Sequence, residues 1–204
     1  MSNIKETFNI GDLVLYKNNQ LIAFNKPATL PVQADPTGDK ALWNLAEIYC
    51  KSPIHIIHRL DRPASGVVLF AKNKKALAQL NQQFKLRGVK KTYLAVVKNC
   101  PTKTEGELRH YLKKSKAGNK SLLAESTENA KEAVLNYKVL GSIENYHLLE
   151  INLITGRFHQ IRAQLSAIGS PVKGDVKYGF KRGNKDRSIH LHAWKLSFTH
   201  PVSQ

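Results

Sequence analysis

Apolar residues fall along this chain in short alternating runs, broken by three stretches whose apolar spacing is helical. Residues 12–27, "DLVLYKNNQLIAFNKP", place two apolar runs on either side of "KNNQ". That pattern predicts a strand, a turn and a second strand, ended by Pro27. In "DKALWNLAEIYC" (39–50), Leu42, Leu45, Ala46 and Tyr49 share one helical face, and Asp39 stands where an N-cap belongs. "GVVLFAK" (66–72) is rich in the β-branched and aromatic residues of a buried strand. "KKALAQLNQQFKLRG" (74–88) sets Ala76, Leu77, Leu80 and Phe84 on one face of a second helix, with Gly88 as its stop. "KTYLAVV" (91–97) returns to strand spacing.

Periodicity fades over residues 101–132. There the lysine-rich "KKSKAGNK" (113–120) predicts a solvated hairpin tip with Gly118 and Asn119 at its turn; contact with phosphate groups is the less economical reading of the same lysines. "AVLNYKVLG" (133–141) and "YHLLEINLI" (146–154) alternate as strands. "FHQIRAQLSAIG" (158–169) predicts a third helix with Phe158, Ile161, Leu165 and Ile168 toward the core, closed by Gly169 and Pro171. "SIHLHAWKLSFTHP" (188–201) alternates once more and closes as strand. Many strands, about three helices and no regular strand–helix alternation predict an α+β fold, a mixed, mostly antiparallel sheet flanked by a few helices and loops. No repeat, low-complexity tract or linker divides residues 1–204, so a single domain is expected.

Composition narrows the partner. Lys and Arg number 32 against 15 Asp and Glu, a formal charge of +17, and an imbalance of that size points to a polyanion, nucleic acid first. No basic amphipathic helix suits a lipid surface, and no apolar run approaches the roughly 18 residues of a membrane span. The N-terminal "MSNIKETFNIGDLVLY" lacks the basic start and apolar run of an export signal, so a cytoplasmic location is expected. Cys50 and Cys100 have no metal-ligand spacing and read as buried or incidental thiols.

Three stretches carry candidate chemistry. In "HRLDRPASG" (58–66), Asp61, one of only six aspartates, stands between Arg59 and Arg62. A neighbouring arginine favours the ionised carboxylate that a nucleophile or base requires. Asp, Pro63 and Gly66 are also turn formers, and on these nine residues alone the catalytic and turn readings stay equally open. "TGRFHQIR" (155–162) gathers Arg157, His159 and Arg162 beside a turn at Thr155 and Gly156 and a helix start, whose free amides attract anions. This predicts a phosphate site, against the plainer reading of a solvated basic face with a packing histidine. His190 and His192 share a strand face, but no third ligand stands nearby, so no metal site is expected. The phosphate-loop, GxGxxG and GxSxG patterns are absent.

Taken in order, "IAFNKPATLPV", "HRLDRPASGVVLFAK", "KKTYLAVV", "ITGRFHQIRAQLSAIGSPVKGDVKYG" and "IHLHAWKLSFTHP" resemble the motifs of the RluA family of pseudouridine synthases, over nearly the whole chain. The resemblance implies the pseudouridine synthase fold. It also implies an isomerase that flips specific uridines of structured rRNA or tRNA into a closed pocket and rejoins uracil to ribose through carbon. Matched by position, it makes Asp61 the catalytic aspartate, Tyr93 the tyrosine packed beside the target base, and Arg162 the arginine that ion-pairs with the aspartate. Arg59 matches the arginine that takes the flipped nucleotide's place in the stack. Arg157 and His159 fall in the phosphate-facing or supporting shell, and Leu191 in the apolar pocket wall. No metal, nucleotide or other cofactor is implied, no membrane partner is expected, and a monomer is the expected state.

About twenty residues precede "IAFNKP", which implies a catalytic domain without the small N-terminal RNA-binding domain of many relatives. Two positions depart from the family pattern and bear on substrate fit: Thr29 stands where glycine is usual, and Gln164 where histidine is common. The competing expectation is an RNA-binding or RNA-chaperone protein that keeps the fold with little catalytic role. A metal-dependent nuclease would need clustered acidic ligands that the sequence lacks.

Overall fold

The computed structural model describes residues 9–35, 38–115, 119–125 and 127–202. Its strands are β1 (Val14–Lys17), β2 (Leu21–Lys26), β3 (His55–Ile56), β4 (Ser65–Ala71), β5 (Lys90–Val97), β6 (Glu105–Lys114), β7 (Ser121–Ala124), β8 (Lys131–Ile143), β9 (Tyr146–Leu153) and β10 (Leu191–Ser197). The helices are α1 (Leu42–Cys50), α2 (Lys74–Lys85) and α3 (Gln160–Ala167). All ten strands join one sheet in the order β1-β2-β4-β10-β5-β9-β8-β6-β7, with β3 also on β4. Among the described strands every pairing is antiparallel except that of β4 with β10. The mixed, mostly antiparallel α+β architecture expected from the apolar pattern is the one observed.

Helix placement explains the two kinds of strand. Ile22 and Phe24 of β2, with Val68 and Phe70 of β4, pack on Leu42 and Ala46 of α1, while Leu21, Ala23, Leu69 and Ala71 pack on Ala76 and Leu80 of α2. Both faces are covered, so these strands read as continuous apolar runs, and each large buried side chain contributes about 1.5–3 kcal/mol. In the other half, Ala95, Val97, Leu135, Leu149 and Ile151 face Ile161 and Leu165 of α3. The opposite face is open there, and polar residues alternate with buried ones along β6 and β9.

The halves meet at a short parallel seam, where His192 pairs with Ser65 and Ala193 with Gly66. Gly66 has φ +112°, and a Cβ built on it would lie 2.2 Å from the Ala193 carbonyl oxygen, so only glycine lets β10 come this close. On its other edge β10 sets Ala193 opposite Tyr93. Gly66, Ala193 and Tyr93 thus lie side by side across three strands, just beyond the loop that holds Asp61.

Several local expectations are corrected. Asp39 does not cap α1; the cap is Ala41, whose N–H bonds to the Asn44 side chain at 3.3 Å, while Asp39 pairs with Arg62. Helix α2 ends at Lys85, and the left-handed residue beyond it is Arg87 (φ 59°), with Gly88 donating back to the Gln83 carbonyl at 2.8 Å. Phe158 precedes α3 instead of facing the core from it, and stacks on His159 with ring centroids 3.8 Å apart. Gly118 lies outside the described residues; the hairpin expected around it is formed by β6 and β7, with Asn119 at φ 41°. Both cysteines are free, but Cys100 is exposed.

Candidate active site

The loop carrying Asp61 is tied down from below by Lys26, a lysine at the end of β2 with no exposed surface. Its Nζ donates to the carbonyls of Pro27 (2.9 Å), Leu30 (2.8 Å) and Arg62 (3.2 Å). Burial pulls this ammonium down to about 7, against the attraction of the Asp61 carboxylate and with some help from Arg62. Thr29 adds two links: its N–H donates to the Arg62 carbonyl at 2.8 Å and its own carbonyl accepts from Arg62 Nε at 2.9 Å. The backbone there needs φ 71°, which explains why glycine suits the position better than the threonine present. Arg62 then turns away from its neighbour toward Asp35 (3.0 Å) and Asp39. Arg59 is exposed. Arg62 thus gives its guanidinium to Asp35 and Asp39, although its place in the chain makes it the natural partner of Asp61.

The cation at Asp61 comes from α3. Arg162 Nη1 donates to Asp61 Oδ2 at 3.0 Å, while Nε and Nη2 donate to the two oxygens of Asp175 at 2.6 and 2.8 Å. The bidentate grip of Asp175 fixes the plane of the guanidinium and leaves one nitrogen aimed at Asp61. Burial opposes the charged form of Arg162, but bonds and attraction from both carboxylates outweigh it and raise its pKa.

His159 Nε2 stands 3.7 Å from the same Asp61 oxygen. Its Nδ1 lies 2.9 Å from the Tyr178 hydroxyl, which accepts the Ser121 N–H at 2.7 Å. Tyr178 thus holds the imidazole by Nδ1, with Nε2 on the side of Asp61. Burial first, then Arg162 and Lys177, lower His159 to about 3, so the ring is neutral at physiological pH.

Arg157, His159 and Arg162 consequently do not form one anion site at the start of α3. His159 is neutral, Arg162 is held by two carboxylates, and the Arg157 N–H is capped by the Gln160 side chain at 2.9 Å. Arg157 alone keeps guanidinium donors without a partner among the described residues.

Asp61 opens into a pocket of about 730 Å³ that Arg59, Tyr93, Arg157, His159, Arg162 and Leu191 also line. All seven residues singled out from the sequence are thus gathered around one cavity of ligand-binding size. Burial, and then the Asp61 carboxylate, push the Tyr93 phenol up, so it keeps its proton. The sequence reading missed Lys26 and Asp175 as determinants of this geometry, and Phe158, Lys91, Phe84 and His58 as further parts of the wall. Asp175 lies inside the quoted "KGDVKYG", but nothing in the spacing ties it to Arg162.

Gln164 is not in the pocket. It is fully buried, and its Nε2 donates to the carbonyls of Leu108 (3.0 Å) and Ala133 (3.1 Å), tying α3 to β6 and to β8, so this departure alters packing rather than substrate fit. His192 Nδ1 is paired with Ser65 Oγ at 2.9 Å, and no three His, Cys, Asp or Glu side chains gather as metal ligands among the described residues.

Comparison with known proteins gives the family. Residues 20–167 match the family model described as RNA pseudouridylate synthase. The ribosomal large subunit pseudouridine synthase C of Rickettsia conorii is 39% identical over 175 residues, covering 83% of this chain and 57% of that protein. The chain thus spans little more than half the length of that relative. The tRNA pseudouridine synthase C of Pasteurella multocida is 32% identical over 94% of this chain and 87% of its own length. Among solved structures, human RNA Pseudouridylate Synthase Domain Containing 1 superposes with a TM-score of 0.79 at 26% identity, over 94% of this chain and 80% of that one. From sequence match and fold together, the chain belongs to the RNA pseudouridylate synthase family and is of the RluA type.

Proposed function

We propose that this protein isomerises uridine to pseudouridine in structured RNA, ribosomal or transfer, with Asp61 acting on the ribose of the target. The observation that carries this reading is a carboxylate held by Arg162 at the wall of a pocket that also presents Tyr93 and Leu191. The target nucleotide leaves its stack, and exposed Arg59 takes its place. Uracil then lies beside Tyr93, with Leu191 on the apolar wall. Asp61 either attacks C1′, to be displaced when C5 bonds there, or removes a ribose proton to give a glycal and returns it as C5 bonds. By both routes the N1–C1′ bond breaks, uracil turns, and C5 bonds to C1′. C5 loses a proton and N1 gains one, so the composition is unchanged. Neutral His159 stands beside the reacting oxygen without adding a second positive charge to it. The relatives' names supply both substrate classes, and the +17 charge suits the phosphate contacts that dominate RNA affinity.

Pseudouridine mapping tests the proposal, by carbodiimide labelling and primer extension on RNA from cells with and without the gene. The expected result is loss of signal at one or a few uridines, restored by the wild-type protein and not by Asp61→Asn. Full restoration by Asp61→Asn would remove Asp61 from the chemistry and favour an RNA-binding role.

A further inference from the structure

Beside the Asp61 pocket is a pair of cations that the chemistry above does not use. Lys91 and Tyr93 are two apart on β5 and so share a face, about 7 Å between Cα atoms. Lys91 Nζ lies against the backbone of Gly156, where an added Cβ would come within 3.3 Å of it. The next residue is Arg157, whose Nε is committed to the Glu132 carbonyl at 2.8 Å. Glu132's own carboxylate is taken by Arg109. No carboxylate pairs with Lys91 or Arg157 among the described residues, and burial together with the Arg157 charge depresses the Lys91 ammonium. Two like charges partly withdrawn from water, with no counter-ion, raise the free energy of the empty protein and are relieved by an anion.

An aromatic wall stands on the other side. Lys91 Nζ is 6.0 Å from the centroid of the half-buried Phe84 ring, which stacks on His58 at 5.4 Å and 24°. His58 is fixed because its Nε2 accepts the Leu69 N–H at 3.0 Å. Lys91, Arg157, Phe84 and His58 all line the cavity that holds Asp61.

We propose that these four residues seat a second nucleotide of the RNA, flanking the target, with its phosphodiester on Lys91 and Arg157 and its base against Phe84. The proposal rests on the reading of the protein as an RNA enzyme and adds where the neighbouring nucleotide is held. Lys91 is on this account a binding residue kept at the expense of stability, and its removal leaves the fold at least as stable as before.

The test uses the Asp61→Asn protein, so that turnover does not enter. Binding of a fluorescein-labelled RNA stem-loop with uridines in its loop is measured from about 50 to about 200 mM KCl. Adding Lys91→Met is expected to reduce the slope of log Kd against log salt by about 0.7–0.9, the loss of one phosphate contact, without lowering the melting temperature. Lys91→Arg restores the slope. Phe84→Ala weakens binding about tenfold with the slope unchanged, as loss of a stacking surface does. Lys75→Met, on the exposed side of α2, changes neither quantity. An unchanged slope in Lys91→Met beside a normal slope in its parent overturns the seat alone, as does a marked fall in melting temperature. Absence of salt-dependent RNA binding by the parent overturns the seat and the RNA-enzyme reading together.

Discussion

Asp175→Asn removes a charge that does not touch the pocket, yet the geometry makes turnover depend on it. The Arg162 and Asp175 side chains are 5% and 1% exposed. Taking one carboxylate from a buried arginine costs about 3 kcal/mol, the low end of the usual range because Asp61 remains as partner. In a chain of this size that lowers the melting temperature by about 10 °C and leaves the protein folded at room temperature. The effect on turnover is of another kind. Asparagine offers one oxygen where Arg162 now finds two, and its amide N–H₂ meets a guanidinium donor head-on, so the guanidinium must turn. On the proposed role of Asp61, a displacement of about 1 Å in the group that orients its carboxylate costs about 10²-fold in rate.

The assay is release of tritium from 5-tritiated uridine RNA under single-turnover conditions, with RNA affinity measured separately. The expected result is that 10²-fold loss in rate at unchanged affinity. In an Arg162→Ala background Asp175→Asn should add nothing, since Asp175 reaches the site only through that arginine. A rate within about threefold of wild type, or a loss confined to RNA affinity, would refute the reasoning.

Three further outcomes follow from the structure. His58 and His159 are lowered to about 4 and about 3, chiefly by burial, so below the ordinary histidine value of about 6.5 the unfolded chain binds more protons than the folded one. Stability is therefore full above that value and falls as pH drops, by about 2–3 kcal/mol for each ring near pH 4.5; urea midpoints against pH read this, and a flat profile contradicts it. Gly66→Ala drives a methyl group to 2.2 Å from the Ala193 oxygen at φ +112°, and the loss should exceed about 4 kcal/mol, seen as insoluble protein or no cooperative transition. A melting temperature within a few degrees of wild type would show that β10 shifts freely. Thr29→Gly relieves a left-handed threonine at some entropic cost, and should raise stability by about 0.5 kcal/mol; a fall of several degrees would mean that the threonine side chain supports the loop.

The sheet was legible because burial leaves its mark on single strands. The unbroken apolar run of β4 and the alternation of β9 report how many of their faces are covered. Helix ends were less legible, since Asp39 is a good cap by composition but is drawn away by Arg62, and Arg87 accepts the left-handed turn assigned to Gly88. At the site, the resemblance put seven residues in order, and the fold brings them to one cavity. What the sequence concealed was partnership. Arg62 is next to Asp61 in the chain and pairs elsewhere, whereas Arg162, a hundred residues on, makes the contact. Nothing in the sequence marks Lys26 as the buried lysine on which three carbonyls converge.

Strand β10 has one more consequence, for the order in which the protein comes into being. Among the described strands it is the only link in the sheet between β4 and β5, although more than a hundred residues separate it from β4 along the chain. Until residues 191–197 emerge from the ribosome, the strand that joins β4 to β5 in the sheet is missing, and the Leu191 wall does not exist. Contacts of such long sequence separation form late and slowly. The pocket is accordingly completed only once β10 has been made, and a nascent protein, however basic, carries Asp61 before the wall around it exists.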